Sequence, residues 1–355
     1  MLANIKHLYI HVPFCKNKCP YCDFFSVPNS EKKDIDLYIG AIIKEIQSFS
    51  HSLSKPLDTV YFGGGSPLMA GNANISKILD KISGFISKET ELSIEVNPEH
   101  LEGSFEFLTL GFNRISIGVQ TTNSAILKKI KRKYNPKVLV DNIKKIRARN
   151  ILLSIDIMFG LPGQKLKDLE EDLDFIIDQK PDHISCYLFT PPYGYELKDE
   201  CASDSLTEKM FSMIHTVLCK HGYEHYEVSN YCLKNKVCKH NMAYWERKSY
   251  VGVGAAAHSF ISQEKQRRWH KKNIESYINN PLSFEEKEII TPQMAITEEI
   301  MLGLRLINKG IKIDLVKNKD YQALINRGLL KINKDHLLVT ESGITLLDYI
   351  ITSLV

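Results

Sequence analysis

LYIHVPFCKNKCPYC, residues 8–22, joins an apolar run to three cysteines. Cys15, Cys19 and Cys22 are spaced as C-x3-C-x2-C, and no signal-peptide pattern precedes them. Such clustering favours metal binding or catalysis over disulfides. A loop this short can wrap three thiolates around one corner of a 4Fe-4S cluster, leaving the fourth iron open to an exchangeable ligand. The amino and carboxylate groups of S-adenosylmethionine suit that open iron, so this cofactor is predicted with the cluster.

A zinc site is the alternative interpretation of the same cysteines, with His11 or a distant cysteine as the fourth ligand. Zinc sites favour paired C-x2-C halves and four protein ligands, and this chain has no second C-x2-C. Spacing alone therefore favours the cluster and leaves zinc open. The five remaining cysteines are scattered and are interpreted as ordinary thiols: Cys186, Cys201, Cys219, Cys232 and Cys238.

The first two hundred residues alternate between apolar runs and amphipathic helical patterns, which predicts right-handed βαβ units with a parallel sheet. The six predicted strands are 8–12, 59–62, 92–96, 115–119, 152–158 and 184–188. Six units favour a partial, TIM-like (β/α)6 barrel over the closed eight-unit form. The fold class is therefore α/β, followed by a C-terminal α+β, partly winged-helix-like domain.

We predict three segments: a barrel with the cysteine loop over 1–200, an extension over 201–290, and a small helical, winged-helix-like module over 291–355. The module includes a predicted hairpin at 329–332 and 337–340. It lacks a basic recognition face, so no nucleic-acid partner is expected. The absence of a signal-peptide pattern and the clustered cysteines predict a cytoplasmic protein. The absence of a ~20-residue apolar stretch predicts no membrane span, and peripheral contact stays open. A net charge of +4 does not decide among partners.

Polar residues follow or interrupt the predicted strands where chemistry gathers in (β/α) folds, at the carboxyl ends of the strands. A triple glycine, Gly63-Gly-Gly-Ser-Pro67, follows the second run and permits close backbone approach to a ligand. Glu95, Gln120 and Asp156 lie at or near the ends of the next three runs. A lone polar residue of this kind is usually structural, but three together suit a polar, nucleoside-sized ligand.

At these residues the sequence resembles the radical-SAM family that contains oxygen-independent coproporphyrinogen III oxidase (HemN) and the haem chaperone HemW. The resemblance covers nearly the whole chain as an ordered series of weak motifs. They are YIHVPFC (9–15), GGGSP (63–67), EVNP (95–98), IGVQ (117–120), DIMFGLPGQ (156–164), YEVSN (226–230) and HNMAYW (240–245).

The resemblance implies a set of S-adenosylmethionine contacts at matching positions. They are Tyr9, Tyr21, Gly64, Gly65, Ser66, Glu95, Gln120, Arg132 and Asp156, with Thr190 and His258 as looser matches. Ser66 stands where the family usually has threonine and keeps the hydroxyl. Without the resemblance, Arg132 would pass as a solvated charge.

Two departures distinguish this chain from the oxidases in the family. Phe24 stands two residues after Cys22, where the oxidases carry a fourth cysteine, and that pattern resembles HemW. The oxidases also have an N-terminal extension, whereas this chain reaches its first cluster cysteine at position 15. Coproporphyrinogen dehydrogenase activity is therefore not expected, and whether the chain is an enzyme stays open.

The motif His240-Asn-Met-Ala-Tyr244-Trp245 matches a HemW-type motif implicated in haem binding. His240 offers an imidazole to haem iron, and Tyr244 and Trp245 offer flat aromatic faces. Cys238 is a second possible iron ligand. Without the resemblance, a helix start with aromatic residues packed into the core would be the favoured interpretation.

The leading hypothesis is a haem chaperone that carries haem as cargo, together with a 4Fe-4S cluster and S-adenosylmethionine. Its expected partners are haem or a related tetrapyrrole, a haem-acceptor protein and an electron donor, with the chain as a monomer or dimer. The alternative is a radical-SAM oxidoreductase that acts on a tetrapyrrole.

Overall fold

The computed structural model describes residues 4–101 and 105–355. The strands are β1 (His7–Val12), β2 (Phe14–Cys15), β3 (Val27–Pro28), β4 (Thr59–Gly64), β5 (Glu91–Val96), β6 (Arg114–Gln120), β7 (Leu152–Phe159), β8 (His183–Leu188), β9 (Glu224–Glu227), β10 (Asn230–Cys232), β11 (Tyr250–Val253), β12 (His258–Ile261), β13 (Gln266–Trp269), β14 (Glu286–Ile289), β15 (Ile311–Lys312), β16 (Leu330–Asn333) and β17 (His336–Val339).

The helices alternate with the strands over the first two thirds of the chain. They are α1 (Lys32–Phe49), α2 (Asn72–Ile82), α3 (Ser124–Lys129), α4 (Pro136–Arg147), α5 (Leu166–Asp178), α6 (Asp204–Lys220), α7 (Lys239–Trp245), α8 (Ile274–Asn279), α9 (Pro292–Gly303), α10 (Tyr321–Asn326), α11 (Glu341–Ile344) and α12 (Leu347–Leu354). Within the described ranges, none of these helices combines the length and the apolar character that a membrane span requires.

The six predicted strands are confirmed as β1, β4, β5, β6, β7 and β8, which pair in this order with parallel register. Each crossover carries helical turns, as parallel pairing requires. Sequence reasoning missed β11, a short parallel strand on the free side of β1, which places Tyr250 opposite His7. Antiparallel strands β12–β14 and β10–β9 extend the two edges to twelve strands in all. The partial α/β barrel is confirmed in outline.

Alternate residues of the parallel strands have opposite character, because successive side chains of a strand point to opposite faces. The outward positions are apolar and buried beneath the helices: Leu8, Ile10, Val12, Val60, Phe62, Ile94, Ile115, Ile117, Leu153, Ile155, Ile157 and Ile184. The inward positions are polar or aromatic: His7, Tyr9, His11, Thr59, Tyr61, Glu91, Ser93, Glu95, Arg114, Ser116, Ser154, Asp156, His183 and Ser185. The apolar layer drives folding, at about 2 kcal/mol for each buried side chain, and the inner face is free for chemistry.

A second, smaller hydrophobic core gathers residues from the last sixth of the chain, among them Ile300, Leu337 and Ile350. It contains the three-stranded sheet β15-β17-β16. The predicted hairpin is confirmed as β16 and β17, paired antiparallel from Leu330 opposite Val339. The segment boundaries at 200 and 290 and the winged-helix likeness stay predictions.

Candidate functional site

The cysteine loop starts at the end of β2 and is anchored at both ends. The Asn29 N–H donates to the Cys15 carbonyl over 3.2 Å, which brings the returning chain back beside the first cysteine. The Cys22 N–H donates to the Cys19 carbonyl over 3.1 Å and closes a tight turn between them. Cys15 is buried, whereas Cys19 and Cys22 are partly exposed. Phe24, two residues further on, is 63% exposed.

Burial raises the pKa of the Cys15 thiol to about 11, and the neighbouring Cys22 adds to that shift. The pKa of Cys22 is also raised, again chiefly by burial. Both groups are therefore thiols at neutral pH in the free loop. Metal ions favour the deprotonated thiolate, so a bound cluster would supply the charge that holds these residues ionised.

The glycines after β4 form a backbone cradle beneath this loop. A Cβ on Gly65 would lie 2.8 Å from the Cys15 Sγ and 2.7 Å from the Pro13 carbonyl oxygen. Gly64 has a φ of +116°, and a Cβ there would lie 2.8 Å from the His11 ring. A larger residue at Gly65 would push against the cysteine loop, and one at Gly64 would push against β1. The predicted close backbone approach is present, and it fits a cofactor held between the loop and the sheet.

Glu95, on the inner face near the end of β5, has two well-defined partners. Its carboxylate accepts the Tyr61 hydroxyl over 2.9 Å and the Gly64 N–H over 3.1 Å. Burial raises the pKa of Glu95 to about 7, opposed by the Tyr61 hydrogen bond and assisted by the Asp156 charge. A carboxylate with a near-neutral pKa at a strand end is typical of a ligand-binding group.

Asp156 occupies the inner face of β7, where the Ser116 hydroxyl donates to both of its oxygens at 2.9 Å. Burial raises its pKa to about 6, and the hydrogen bonds from serine hydroxyls oppose that shift. Register places Asp156 opposite Gly118 of β6. Gly118 has no side chain, and the Gln120 amide lies where its Cβ would be.

Gln120 ends β6 in a left-handed conformation, with a φ of +68°. The pairing of β6 with β7 shifts register between Gly118 and Gln120, so the strand bulges there. A Cβ on Gly118 would lie 2.8 Å from the Gln120 Nε2. A non-glycine residue at positive φ is strained, and such strain concentrates at functional sites.

Arg132 is 8% exposed, so it is not the solvated charge that its sequence context suggests. Its guanidinium donates to the Asn97 Oδ1 (3.0 Å) and to the Gly118 carbonyl (2.9 Å), and it lies 3.5 Å from the Glu99 Oε2. Its Nε has no hydrogen-bond partner among the described residues. Burial opposes the charge of Arg132, but the Glu99 carboxylate, with a smaller contribution from Cys19, raises its pKa. A buried cation with a free donor between loop and strand ends fits a ligand carboxylate.

Ser66 is 1% exposed, and its hydroxyl lies 2.6 Å from the His100 Nδ1. The His100 Nε2 is buried without a partner among the described residues. Sequence reasoning missed both His100 and Glu99. Their position directly after the strand-end segment EVNP was the signal that could have found them.

Tyr21 lies beside this group, close enough to Arg132 to contribute to its raised pKa, whereas two other predicted contacts lie apart from it. Tyr21 packs edge-on against Phe189, with ring centroids 6.3 Å apart. Thr190, just after β8, and His258, at the start of β12, are exposed, and the His258 ring stacks on Trp269 at 5.4 Å. Among the residues that the structure describes, no hydrogen bond joins Thr190 or His258 to another predicted site residue. Their assignment stays a prediction.

The motif at 240–245 forms α7, whose histidine is packed inside the barrel near the amino ends of the strands. His240 is 1% exposed. Its Nδ1 lies 2.7 Å from the Thr59 hydroxyl and its Nε2 2.8 Å from the Tyr244 hydroxyl. Its ring stacks on Tyr61 at 5.0 Å and 23°. Burial lowers the pKa of His240 to about 3, so the imidazole is neutral.

A buried ion pair at the strand starts holds this helix. Glu91 accepts the backbone N–H groups of Lys239 and His240, each over 3.1 Å, and lies 3.1 Å from the Arg114 Nε. Arg114 donates to the carbonyls of residues 236–237. Sequence reasoning missed both charges, because an ionised residue at a strand start gives no pattern of its own.

Trp245 turns away from the barrel interior and towards the C-terminal segment. The Arg305 guanidinium lies 4.7 Å from the centre of its ring, and its Nε1 has no partner among the described residues. It lines a cavity of about 320 Å³ with Leu306 and Ile311. Cys238 is buried, with its Sγ 3.7 Å from Glu91. The predicted residues thus form two groups, one at each end of the barrel.

A zinc site at the cysteine loop is the alternative to an iron-sulfur cluster. Within residues 4–101 and 105–355, no three His, Cys, Asp or Glu side chains are arranged to hold one metal ion. Three cysteines on one short loop, a glycine cradle and strand-end carboxylates match a cluster with a polar organic ligand better than a closed zinc centre.

The partial barrel, with its cysteine loop and glycine cradle, defines a radical-SAM protein. The family profile of the radical SAM superfamily matches residues 9–176. The structure of coproporphyrinogen III oxidase (HemN) from Escherichia coli, a radical SAM enzyme, has the same fold. Its TM-score is 0.86 at 18% identity, over 100% of this chain and 91% of that one.

Curated relatives identify the family within the radical-SAM superfamily to which the chain belongs. The haem chaperone HemW of Buchnera aphidicola (Schizaphis graminum) is 33% identical over 95% of this chain and 94% of its own length. HemW of Lactococcus lactis is 30% identical over 98% and 96%, respectively. The chain belongs to the HemW family. Membership in the radical-SAM superfamily implies a 4Fe-4S cluster and S-adenosylmethionine.

Proposed function

We propose that this chain is a haem chaperone of the HemW type, which binds haem and transfers it to an acceptor protein. The observation that carries the proposal is the similarity to proteins named haem chaperone HemW over nearly the full length of both chains. Phe24 adds support, since it is exposed beside Cys22 and provides no further thiol there.

Cys15, Cys19 and Cys22 would hold the cluster, which supplies electron-transfer and radical chemistry when S-adenosylmethionine is bound to it. Glu95 and Asp156 offer carboxylates to the ribose hydroxyls of that ligand, and the free Nε of Arg132 offers a donor to its carboxylate. Gly64 and Gly65 leave the backbone accessible. Gln120, Ser66, Tyr9, Tyr21, Thr190 and His258 complete the proposed contacts.

Haem would bind through the motif at His240, Tyr244 and Trp245. Both ring nitrogens of His240 have partners in the present arrangement, so iron ligation by this residue requires α7 to open. Trp245 needs no such change, because it already borders a cavity of about 320 Å³. We therefore propose that haem first contacts the aromatic face of Trp245 and reaches His240 only when the helix is released.

The test is anaerobic reconstitution of the cluster, followed by parallel titrations with haem and with coproporphyrinogen III. We expect a Soret band that saturates with added haem, and no decarboxylated product from coproporphyrinogen. Turnover of coproporphyrinogen without haem affinity would reject the chaperone proposal in favour of tetrapyrrole oxidation.

His240→Ala tests the assigned motif, with His221→Ala as the matched control. His221 is exposed directly after α6, and its ring Nδ1 lies 2.9 Å from the Val217 carbonyl of that helix. We expect the His240 variant to lose haem affinity and the control to keep it. Unchanged affinity in both variants would remove His240 from the haem site.

A further inference from the structure

Tyr61 touches both groups of predicted functional residues. Its hydroxyl donates to the Glu95 Oε1 over 2.9 Å, at the end of the barrel where S-adenosylmethionine is proposed to bind. Its ring stacks on His240 at 5.0 Å and 23°, within the proposed haem motif. The Tyr9 ring lies 6.2 Å from the Tyr61 ring and 6.2 Å from the His240 ring, so it contacts both of them. A single side chain thus joins the two ends of the barrel interior.

The Glu95 side of this contact is tightly packed. A Cβ on Gly63 would lie 3.0 Å from the Tyr9 ring and 3.1 Å from both Glu95 and the Tyr61 ring. The second oxygen of Glu95 is fixed by the Gly64 N–H. Interiors this close-packed transmit displacement, so the Tyr61 ring cannot shift without moving the carboxylate.

The His240 side is locked in the present arrangement. Both imidazole nitrogens are hydrogen-bonded, to Thr59 and to Tyr244, and Glu91 holds the first N–H groups of the helix. Any use of His240 by haem iron must break at least one of these bonds and draw the ring away from Tyr61. Loss of that stacked partner would free the Tyr61 ring and loosen its hold on Glu95.

We propose that Tyr61 is a positioning residue that makes S-adenosylmethionine and haem antagonistic ligands of this chain. A ligand held by Glu95 favours the closed motif, in which His240 is stacked on Tyr61, whereas haem on His240 favours the open one. S-adenosylmethionine therefore drives haem off the motif. This inference rests on the proposed haem function.

The effect must be reciprocal. Two ligands that stabilise different states of one protein weaken each other by the same factor, and such couplings commonly amount to about 5-fold to 150-fold. We expect a factor of about tenfold here, because the contact is a single buried side chain.

The test measures the haem dissociation constant of the cluster-loaded protein with and without saturating S-adenosylmethionine. The variants are Tyr61→Phe, which keeps the ring but removes the hydroxyl bound to Glu95, and Tyr250→Phe as the matched control. Tyr250 packs edge-on against Tyr244 at 4.6 Å, and its strand, β11, is separated from the Tyr61 strand, β4, by β1. We expect about tenfold weaker haem binding with S-adenosylmethionine in the wild type and in the control, and no change in Tyr61→Phe.

A second measurement uses the wild type alone and no haem. Closing of the motif should slow amide hydrogen exchange at Lys239 and His240 when S-adenosylmethionine is added. This readout does not depend on how well Tyr61→Phe folds. Unchanged exchange at these amides would overturn the inference.

The outcomes separate this inference from the function on which it rests. A wild type without haem affinity rejects the chaperone proposal itself. A wild type that binds haem equally well with and without S-adenosylmethionine, or more tightly with it, leaves the chaperone proposal standing and overturns the antagonism. Antagonism of equal size in Tyr61→Phe also overturns the role of Tyr61.

Discussion

Alternate residues of the same strands line both ends of the barrel interior. Helix α7 fills the amino end, and no helix covers the carboxyl end in the same way. At the amino ends, Thr59, Glu91 and Arg114 are exposed by 0%, 5% and 2%, because α7 packs across them. At the carboxyl ends, Glu95 and Asp156 are only partly buried, and Tyr187 is 41% exposed. The carboxyl end, here called the open end, is thus less covered than the amino end, here called the closed end, where α7 lies across the strand starts.

This difference gives the two groups of residues different physical tasks. The strand-end carboxylates have raised pKa values and remain partly exposed, which suits reversible binding of a polar cofactor. The helix end has a neutral histidine with partners at both ring nitrogens and a buried ion pair between Glu91 and Arg114, which suits a closed state that a ligand can open. Substitutions at the two ends should therefore differ in kind as well as in size.

Cys22→Ser should produce the largest effect, at the open end. Serine keeps the shape of the side chain but is a poor ligand for iron, so the three-ligand corner loses one of its members. We expect reconstituted protein to lose nearly all cluster iron and its brown absorbance. Cys219→Ser is the control, since that cysteine is exposed on α6. Full iron content in Cys22→Ser would mean that this residue is not a ligand.

Glu91→Gln should produce the largest loss of stability, at the closed end. It leaves the Arg114 guanidinium buried without a counter-charge, and breaking a buried pair in this way costs about 3–5 kcal/mol. Urea unfolding should report a free energy of unfolding lower by about 3 kcal/mol. Lys144→Met, in an exposed pair with Asp141, should change it by less than about 0.5 kcal/mol. Equal effects would mean that burial of the Glu91–Arg114 pair does not increase its contribution to stability.

Sequence reasoning found the open end far better than the closed one. The cysteine loop, the glycine cradle and the strand-end residues each follow an apolar run, so local pattern and the geometry of parallel strands place them together. Arg132 came only from the family resemblance, because its burial depends on Asn97 and Gly118, which pattern does not connect to it.

The closed end depends on contacts between residues far apart in sequence. β11 is four residues long and pairs with β1 across more than two hundred residues, so no local signal marks it as a barrel strand. Glu91 meets His240 across a separation of 149 residues. The spacing of His240 and Tyr244 does predict a shared helix face, but not that this face points into the barrel.

Glu95→Gln should produce a smaller, pH-dependent effect at the open end. The pKa of Glu95 is raised from 4.5 to about 7 by burial. Between these two pH values the folded chain therefore keeps a proton on Glu95 that the unfolded chain has lost. Its contribution to stability is complete below 4.5 and is lost as the pH rises through about 7. Glutamine cannot ionise, so from about pH 5 to pH 8 the free energy of unfolding should shift in favour of the variant by on the order of 2 kcal/mol. A difference that does not vary with pH would place the Glu95 pKa near its ordinary value.

Thr190→Ala should produce the smallest effect, which tests how far the open end extends. Thr190 is exposed after β8 and makes no hydrogen bond to another predicted site residue within the described ranges, so the free energy of unfolding should change by less than about 0.5 kcal/mol. If its hydroxyl contacts S-adenosylmethionine, anaerobic calorimetry should show affinity lower by about threefold, the value of one exposed hydrogen bond. Thr190→Ser keeps the hydroxyl and should retain full affinity. Equal affinity for S-adenosylmethionine in the wild type and both variants would show that Thr190 does not contact the ligand. Equal losses of affinity in both variants would mean that the methyl group of Thr190, and not its hydroxyl, is responsible.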